Sequence, residues 1–469
     1  MASRTGKPDR LKIGIVGAGL GGMMAAIAIA ETGADVTILE AAAELGEIGA
    51  GIQMTPNVAR LLRRYGVDKE IGENLVRFKE IHLRNADGTR AGYVLVSRME
   101  EAAGEVWWLV HRHHLHQGLV SVARRFGCKF RIDARIISIQ YQDISKPVKI
   151  GTQKDETYTF DMILGSDGVN GISRKTLFPE VIPTPPTNNS AYRAIVPYAR
   201  LLADPETKSL VKEGLSMDVW MGNDAYIITY PISAGKDFNM VLSHHTPDPV
   251  SNVQSVGLAE VKEQYKNFDQ RLRKVISMID HPIRRWPLLV TGPLESWSST
   301  CKRVVLMGDA AHSMTNHMAQ GAATAMEDGV FLAGVLGAVV AETISLKTAI
   351  DLYEKERMPR VRRKQEVSFL NGEIWHLSGE AAKRRNAAMA AELGGDGSVQ
   401  TRTSNLYGDP GMMREIYSYD AGAHAALALE KELRAREAVA NKGWRKDVRK
   451  ETYDNVVGWF ADDRVEAKL

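Results

Sequence analysis

The sequence is poor in cysteine. Only Cys128 and Cys301 occur in 469 residues, far apart and without metal-ligand spacing. That excludes a disulfide-stapled scaffold and predicts reduced thiols in a reducing compartment. Charge of one sign is equally scarce, because 60 Lys+Arg stand against 57 Asp+Glu to leave +3. No global field then draws in nucleic acid or an anionic membrane, and neither is an expected partner. The opening residues MASRTGKPDR lack the apolar core of a secretory signal. A long uninterrupted apolar run is missing too: residues 330–344 are mostly apolar but are broken by Glu342 and fall short of the roughly 20 residues that a bilayer demands. A buried helix in a cytoplasmic protein is the expectation. What remains is ordinary for a soluble enzyme, with 44% hydrophobic and 25% charged residues over a length that suggests about two to three domains.

The chain is organised around residues 12–40, KIGIVGAGLGGMMAAIAIAETGADVTILE. A short β-branched run leads into Gly17, Gly19 and Gly22 on the G-x-G-x-x-G spacing. An Ala/Met/Ile helix follows, and a second apolar run ends in Glu40. The three glycines do different physical work. Gly17 makes the turn, Gly19 lets a pyrophosphate approach the backbone, and Gly22 allows the helix to pack closely on the strand. The helix start offers unpaired N–H groups and a positive dipole end to phosphates, while the Glu40 carboxylate can accept hydrogen bonds from a ribose diol. Strand, turn, helix, strand and acid in this order predict dinucleotide binding.

Further along, Thr55-Pro56 opens an amphipathic helix closed by Gly66, and residues 78–97 alternate around Asn85-Ala86-Asp87-Gly88 as a hairpin. Arg112 stands where the next strand feeds a helix. It is either a solvated base among histidines or a guanidinium reaching phosphate or ribose from a second wall of the cleft. His111, His113, His114 and His116 are spaced so that a helix does not converge them, so no metal is expected. The run 162–164 empties into Gly165-Ser166-Asp167-Gly168, and 304–307 into Gly308-Asp309; both put aspartate at a strand's carboxyl end, where α/β sheets bind ligands. Asp309 is either an ordinary helix N-cap or a hold on the ribityl chain of a flavin, whose ring would lie against the start of the following helix. From 189 to 245 short aromatic-bearing runs predict a mainly antiparallel sheet carrying Tyr192, Arg193, Trp220, Tyr226 and Tyr230. Residues 368–393 read as helix, 394–411 as a turn-rich exposed loop, and 420–440 as an Ala/Glu/Lys/Arg-rich helix.

These elements, taken in order, carry a resemblance. The chain resembles the para-hydroxybenzoate hydroxylase class of single-component FAD monooxygenases over about residues 11–375, and within it salicylate-hydroxylase-like enzymes of fungal natural-product pathways. The carriers are Gly17, Gly19 and Gly22 with Glu40; Asp167-Gly168 with Ser173 and Arg174; and Gly308-Asp309 continued by Ala311, His312 and Gln320-Gly321. The resemblance implies an α/β fold: a Rossmann-type FAD-binding domain over 11–185 and 295–366 that includes the hairpin near 78–97, an inserted mainly antiparallel β-sheet substrate domain over 186–294, and a helical region over 367–469. It implies FAD held by Gly17, Gly19, Gly22, Glu40, Arg112, Asp167, Asp309, Gly321 and Ala322, reduction by NADPH or NADH without a second Rossmann domain, and oxygen insertion through a flavin hydroperoxide. Tyr192 and Arg193 look like the catalytic Tyr-Arg pair of some relatives. The partners implied are a small aromatic molecule and O2, with a monomer or homodimer as the assembly.

One position departs from the family: Asn316 stands where many members have a proline beside the flavin ring. For the substrate, Trp107, Trp108, Trp220, Tyr226 and Tyr230 suggest a roomy aromatic cleft suited to an indole alkaloid and its epoxidation or hydroxylation. The alternatives are a salicylate-type phenolic acid paired with Arg193, an FAD dehydrogenase or oxidase without oxygen insertion, and a flavin-binding regulator.

Overall fold

A computed structural model describes residues 10–46, 49–143, 145–185, 188–211, 214–391 and 405–456. Its contacts divide the chain into Met1–Gly422 and Ala423–Leu469. The C-terminal Ala/Glu/Lys/Arg pattern forms one helix, Ala421–Val456, and of the expected loop 394–411 residues 394–404 lie outside the described ones.

Short apolar runs in the first unit become the strands β1 (Lys12–Val16), β2 (Asp35–Leu39), β3 (Lys129–Arg131), β4 (Met162–Gly165) and β5 (Val304–Leu306). They form a sheet in the order β5-β4-β1-β2-β3, with every pair parallel. Residues such as Ile13, Ile15, Ile163 and Val305 are wholly buried, as a parallel sheet covered on both faces requires. Because all five strands run the same way, the turns after β1, β4 and β5 emerge at one edge.

Four helices matter for that edge: α1 (Leu20–Glu31), α2 (Ile172–Leu177), α3 (Gly321–Val340) and α4 (Leu346–Trp375). α1 and α3 touch through missing side chains. A Cβ on Gly21 would stand 2.7 Å from Ala325 Cβ, and one on Gly329 would stand 2.7 Å from Ala25 Cα. Residue numbers rise together across this contact, so the helices are parallel and Gly321 lies level with Gly17. The expected apolar helix over 330–344 therefore begins earlier and stops at Val340, ahead of Glu342. It is long and apolar enough to cross a bilayer by length and composition, yet it is mostly buried inside the protein.

The second sheet has eight strands, in the order Gln254–Val256, Ile283–Pro287, Asn189–Pro197, Asp237–His245, Ala225–Ile232, Ser216–Met221, Glu80–Asn85 and Arg90–Leu95. The hairpin expected within the FAD-binding domain thus belongs to this eight-stranded sheet. Glu80–Asn85 pairs in parallel with Ser216–Met221, and Ile81 and Leu83 share a buried cluster with Met217 and Val219. One sheet face packs on the helices Leu258–Gln264 and Gln270–Ser277 through Tyr192, Trp220, Tyr265 and Leu272. The other meets Val367 and Trp375 of α4. That helix runs without a break through 366/367, where a domain boundary was expected.

Candidate active site

Gly17 sits at φ +100°, and a Cβ there would meet Ser166 O at 2.7 Å; a Cβ on Gly22 would meet Gly17 O at 2.3 Å. Both neighbours are backbone atoms, so neither position admits a side chain. Three turns start on neighbouring rungs: Gly17 N donates to Leu39 O (2.8 Å), Ser166 N to Val16 O (2.9 Å) and Met307 N to Gly165 O (3.0 Å). Gly19 precedes α1, and no side chain caps that helix. The cavity at this edge measures about 590 Å³ and is lined by Gly17, Gly19, Glu40 and Asp167 together with Arg135 and Lys175. Glu40 is already oriented, accepting from Ala18 N on Oε2 and from Ala42 N on Oε1, each at 2.8 Å. Each oxygen keeps a lone pair for a diol.

Asp167 reaches the cavity wall, but its carboxylate turns back towards the start of α2. Oδ2 accepts from Ser173 N at 2.9 Å, Oδ1 is buried, and burial raises its pKa above the ordinary value. Arg174 is fully buried and donates to Val169 O at 2.6 Å. Asp309 is exposed at the next turn, after Gly308 at φ +57°. Gly321 and Ala322 are half-buried in the first turn of α3. Arg112 opens the helix Arg112–Arg125. Its stem lies where a Cβ on Gly49 would come within 2.9 Å, and one turn later His116 Nε2 meets Ala18 O at 2.8 Å. Arg112 therefore borders the glycine turn. Gly17, Gly19, Glu40 and Asp167 line one cavity, Asp309 follows the parallel strand β5 at the same edge of the sheet, and Gly22 acts by packing.

The Tyr-Arg pair does not act as a unit. Tyr192 is buried in the helix-covered face, where its hydroxyl donates to Glu260 Oε1 (2.9 Å) and accepts from Arg285 Nη2 (3.0 Å). Its ring stacks on His244 at 4.4 Å. Alternation along the strand turns half-buried Arg193 to the other face, where its charge is felt by Tyr230. Nearby, Asn239 Oδ1 accepts from Gly51 N at 2.7 Å, and a Cβ on Gly51 would crowd the Tyr230 ring at 2.4 Å. Tyr230 and Asn239 thus face Gly51, and Arg193 lies on the same sheet face.

The expected aromatic cleft is largely core. Trp107 is buried against Phe78, Tyr407 and Tyr417, and Trp220 packs beneath Arg84 and Arg271 on the helix-covered face. Tyr226, also buried, is held by the loop that carries the departure at Asn316. Its hydroxyl lies 3.3 Å from Asn316 Oδ1 and 2.8 Å from His317 Nδ1. Burial, with nearby His376 and His245, pushes His317 down to about 3, so its imidazole is neutral.

Reading the sequence missed the support behind the third turn. Asp328 Oδ2 accepts from Gly308 N (3.2 Å) and contacts His312 Nε2 (2.6 Å), while Oδ1 accepts from Arg357 Nε (2.9 Å). Beside it, Glu327 pairs with Arg357, Arg360 and Lys364. Two adjacent acids inside an apolar helix were the available signal, since buried carboxylates require partners. Among the described residues no group of three His, Cys, Asp or Glu side chains is placed to hold a metal ion.

Residues 10–368 match the family described as FAD binding domain. The FAD-dependent monooxygenase OpS4 of Beauveria bassiana (strain ARSEF 2860) is 29% identical over 432 residues, covering 90% of this chain and 98% of that protein. The 3-hydroxybenzoate 6-hydroxylase 1 of Aquipseudomonas alcaligenes is 31% identical over 381 residues, 80% of this chain and 92% of that protein. Among solved structures, CtdE in complex with FAD and substrate 4 superposes with a TM-score of 0.75 at 20% identity over 91% of this chain and 100% of that one. A salicylate hydroxylase substrate complex does so at 0.73 and 22%, over 90% and 98%. The cleft fits the group these comparisons imply: two parallel helix starts suit a pyrophosphate and an electron-rich ring edge, and the preset Glu40 suits a ribose.

Proposed function

This chain belongs to the FAD binding domain family, and from that membership we propose that it inserts one oxygen atom from O2 into an aromatic substrate bearing a phenolic or carboxylate oxygen. It is an FAD-dependent monooxygenase, and NAD(P)H is the usual reductant of such enzymes. Bound FAD supplies the electron transfer and oxygen activation that side chains cannot. The amides at Gly19 and the first turn of α1 hold the pyrophosphate, Glu40 the ribose, and Asp309 the ribityl chain. Arg112 closes the cleft from the side of Gly49. The amides of Gly321 and Ala322 present the positive end of α3 to the ring.

The observation that carries the substrate reading is the position of Arg193, half-buried on the sheet face whose Tyr230 and Asn239 meet Gly51. A guanidinium there can orient an anionic or phenolic oxygen of the substrate through its planar fork of donors. Relatives named for 3-hydroxybenzoate and 6-hydroxynicotinate act on compounds of this kind. Epoxidation of an indole alkaloid would need an aromatic-lined cleft, to which Trp107 and Trp220, both packed in cores, cannot contribute.

A ligand screen tests the reading. The purified holoprotein is offered hydroxybenzoates, hydroxynicotinates and indoles, and NAD(P)H oxidation is followed with labelled O2. Faster oxidation with hydroxylated acids and label in the product supports it. Electron transfer to a dye without label in any product overturns it in favour of a dehydrogenase, and stimulation by indoles alone overturns the substrate class.

A further inference from the structure

Behind the start of α3 lies a closed group of charges that the proposed function does not use. Glu327 and Asp328 are fully buried and face three cations of α4: Arg357 (0% side-chain exposure), Lys364 (1%) and Arg360 (13%). His312 joins from the turn after β5, and the Tyr419 ring lies 3.6 Å beneath the Arg360 guanidinium. Two carboxylates against three cations leave one positive charge in excess. Burial keeps bulk solvent from screening Lys364, so its field extends into the neighbouring turn of protein.

The geometry points that excess at one place. Lys364 Nζ donates to Glu327 Oε1 at 2.8 Å and to Thr324 Oγ1 at 3.3 Å, and Thr324 Oγ1 donates to Gln320 O at 2.6 Å. A second path runs from Glu327 Oε1 through Asn57 Nδ2 (2.7 Å) to Gln320 Oε1 (3.1 Å). Gln320 Nε2 is fixed in turn by Thr55 Oγ1 at 3.0 Å. Thus one hydroxyl separates the ammonium from Gln320, the residue immediately before Gly321 and level with the Gly17 turn. An interior that holds two acids could have been neutralised by two bases. The third adds charge next to the helix end that faces the cleft.

We propose that Lys364 is a positioning residue for flavin reduction, its buried charge acting through Thr324 and Gln320 to favour the reduced, negatively charged ring at the start of α3. The inference rests on the FAD reading given under the proposed function. Burial, followed by the like charges of Arg360 and Arg357, pushes Lys364 down to about 7 despite Glu327. The excess charge therefore responds to pH near neutrality, while Glu327 stays ionised well below its ordinary value because Arg360, Lys364 and Arg357 outweigh its burial.

The test is the midpoint potential of bound FAD in the holoprotein, read by dye equilibration at about pH 6 and about pH 8, for the wild type, Lys364→Met and Lys364→Arg. At the lower pH, Lys364→Met should shift the oxidised-to-reduced ratio at least tenfold towards oxidised, about 30 mV for a two-electron couple. The gap should narrow at the higher pH. Lys364→Arg should keep the high potential at both. If Lys364→Met does not retain FAD, Lys364→Gln, which still donates to Glu327, is read in its place. An FAD-loaded uncharged variant with the wild-type potential at the lower pH overturns the inference alone. A wild-type protein that neither contains nor takes up FAD overturns the FAD reading and this inference with it.

Discussion

Tyr192 and Arg193 leave one strand in opposite directions. The tyrosine hydroxyl is clamped between Glu260 at 2.9 Å and Arg285 at 3.0 Å beneath the helices Leu258–Gln264 and Gln270–Ser277. The arginine emerges on the other face, the one that carries Tyr230 and Asn239. The clamp fixes the strand from behind, and the other side of the same peptide presents the charge. The two residues can therefore be tested separately, one for the proposed substrate contact and one for stability.

Arg193→Ala should keep bound FAD but lose coupled product formation, so that NAD(P)H consumed without product rises several-fold. Tyr192→Phe should leave coupling intact and lower stability by about 1 kcal/mol for the lost hydroxyl bonds. Product and NAD(P)H stoichiometry, measured beside urea unfolding, checks both. Undiminished coupling in Arg193→Ala would remove that residue from the substrate site.

Glu40 offers a cleaner handle on the cofactor. Its two oxygens accept from Ala18 N and Ala42 N, so an amide at this position would turn an N–H donor towards another donor. Glu40→Gln should weaken FAD binding by roughly 1–3 kcal/mol, about five- to 150-fold in Kd. Quenching of flavin fluorescence on titration into apoprotein measures it. Wild-type affinity would mean that the carboxylate serves only the turn.

Local features of the site were legible in the sequence and distant ones were not. Gly17, Gly22 and Glu40 fall within one strand-turn-helix-strand unit, so their spacing alone fixed their geometry. The partnership of Glu327 with Arg357, Arg360 and Lys364 spans two helices, and only the unexplained acids in an apolar run hinted at it. Every position of Ala225–Ile232 is buried, so the usual alternation gave no sign of which face carries Tyr226 and Tyr230. Trp220, in the strand Ser216–Met221, and Trp107, just ahead of the strand Trp108–His111, misled for the same reason: an aromatic announces burial and not the layer that buries it. Alternation did hold the answer for Tyr192 and Arg193, since consecutive strand residues cannot both face one ligand. The parallel pairing of residues 80–85 with 216–221 joins segments more than a hundred residues apart and left no local trace.

Three histidines set an acid limit on stability. Burial holds His317 at about 3, and His244 and His376 at about 4, all below the unfolded value of about 6.5. With the folded pKa depressed, their contribution is fully present above the unfolded pKa and is lost as pH falls towards the folded values, because the unfolded chain binds the protons first. The loss between pH 7 and about pH 5 should be on the order of 1–2 kcal/mol per histidine. His317→Gln should flatten the dependence of unfolding free energy on pH by about one proton in this window. Parallel slopes for the variant and the wild type would show that His317 takes up no proton on unfolding.

The contact between α1 and α3 predicts opposite outcomes for one substitution made twice in the same helix. At Gly329 an added Cβ meets Ala25 Cα at 2.7 Å and Ala25 N at 2.9 Å. Backbone cannot swing aside as a side chain can, so the two helices must part. Gly329→Ala gains helix propensity of up to about 1 kcal/mol, but overpacking costs about 1–3 kcal/mol, and the variant should be destabilised. The same shift moves the start of α1 relative to Gly308, and FAD affinity should fall with stability. Two turns on, a Cβ at Gly337 finds Thr32 Cγ2 at 3.5 Å, an ordinary van der Waals distance. Gly337→Ala therefore keeps the propensity gain without the strain and should stabilise by about 0.5–1 kcal/mol with unchanged FAD binding. Chemical denaturation of both apoproteins, paired with flavin titration, reads the two signs. If both variants shift stability the same way, the close parallel approach of α1 and α3 is not what holds the glycine turn and the start of α3 at one level.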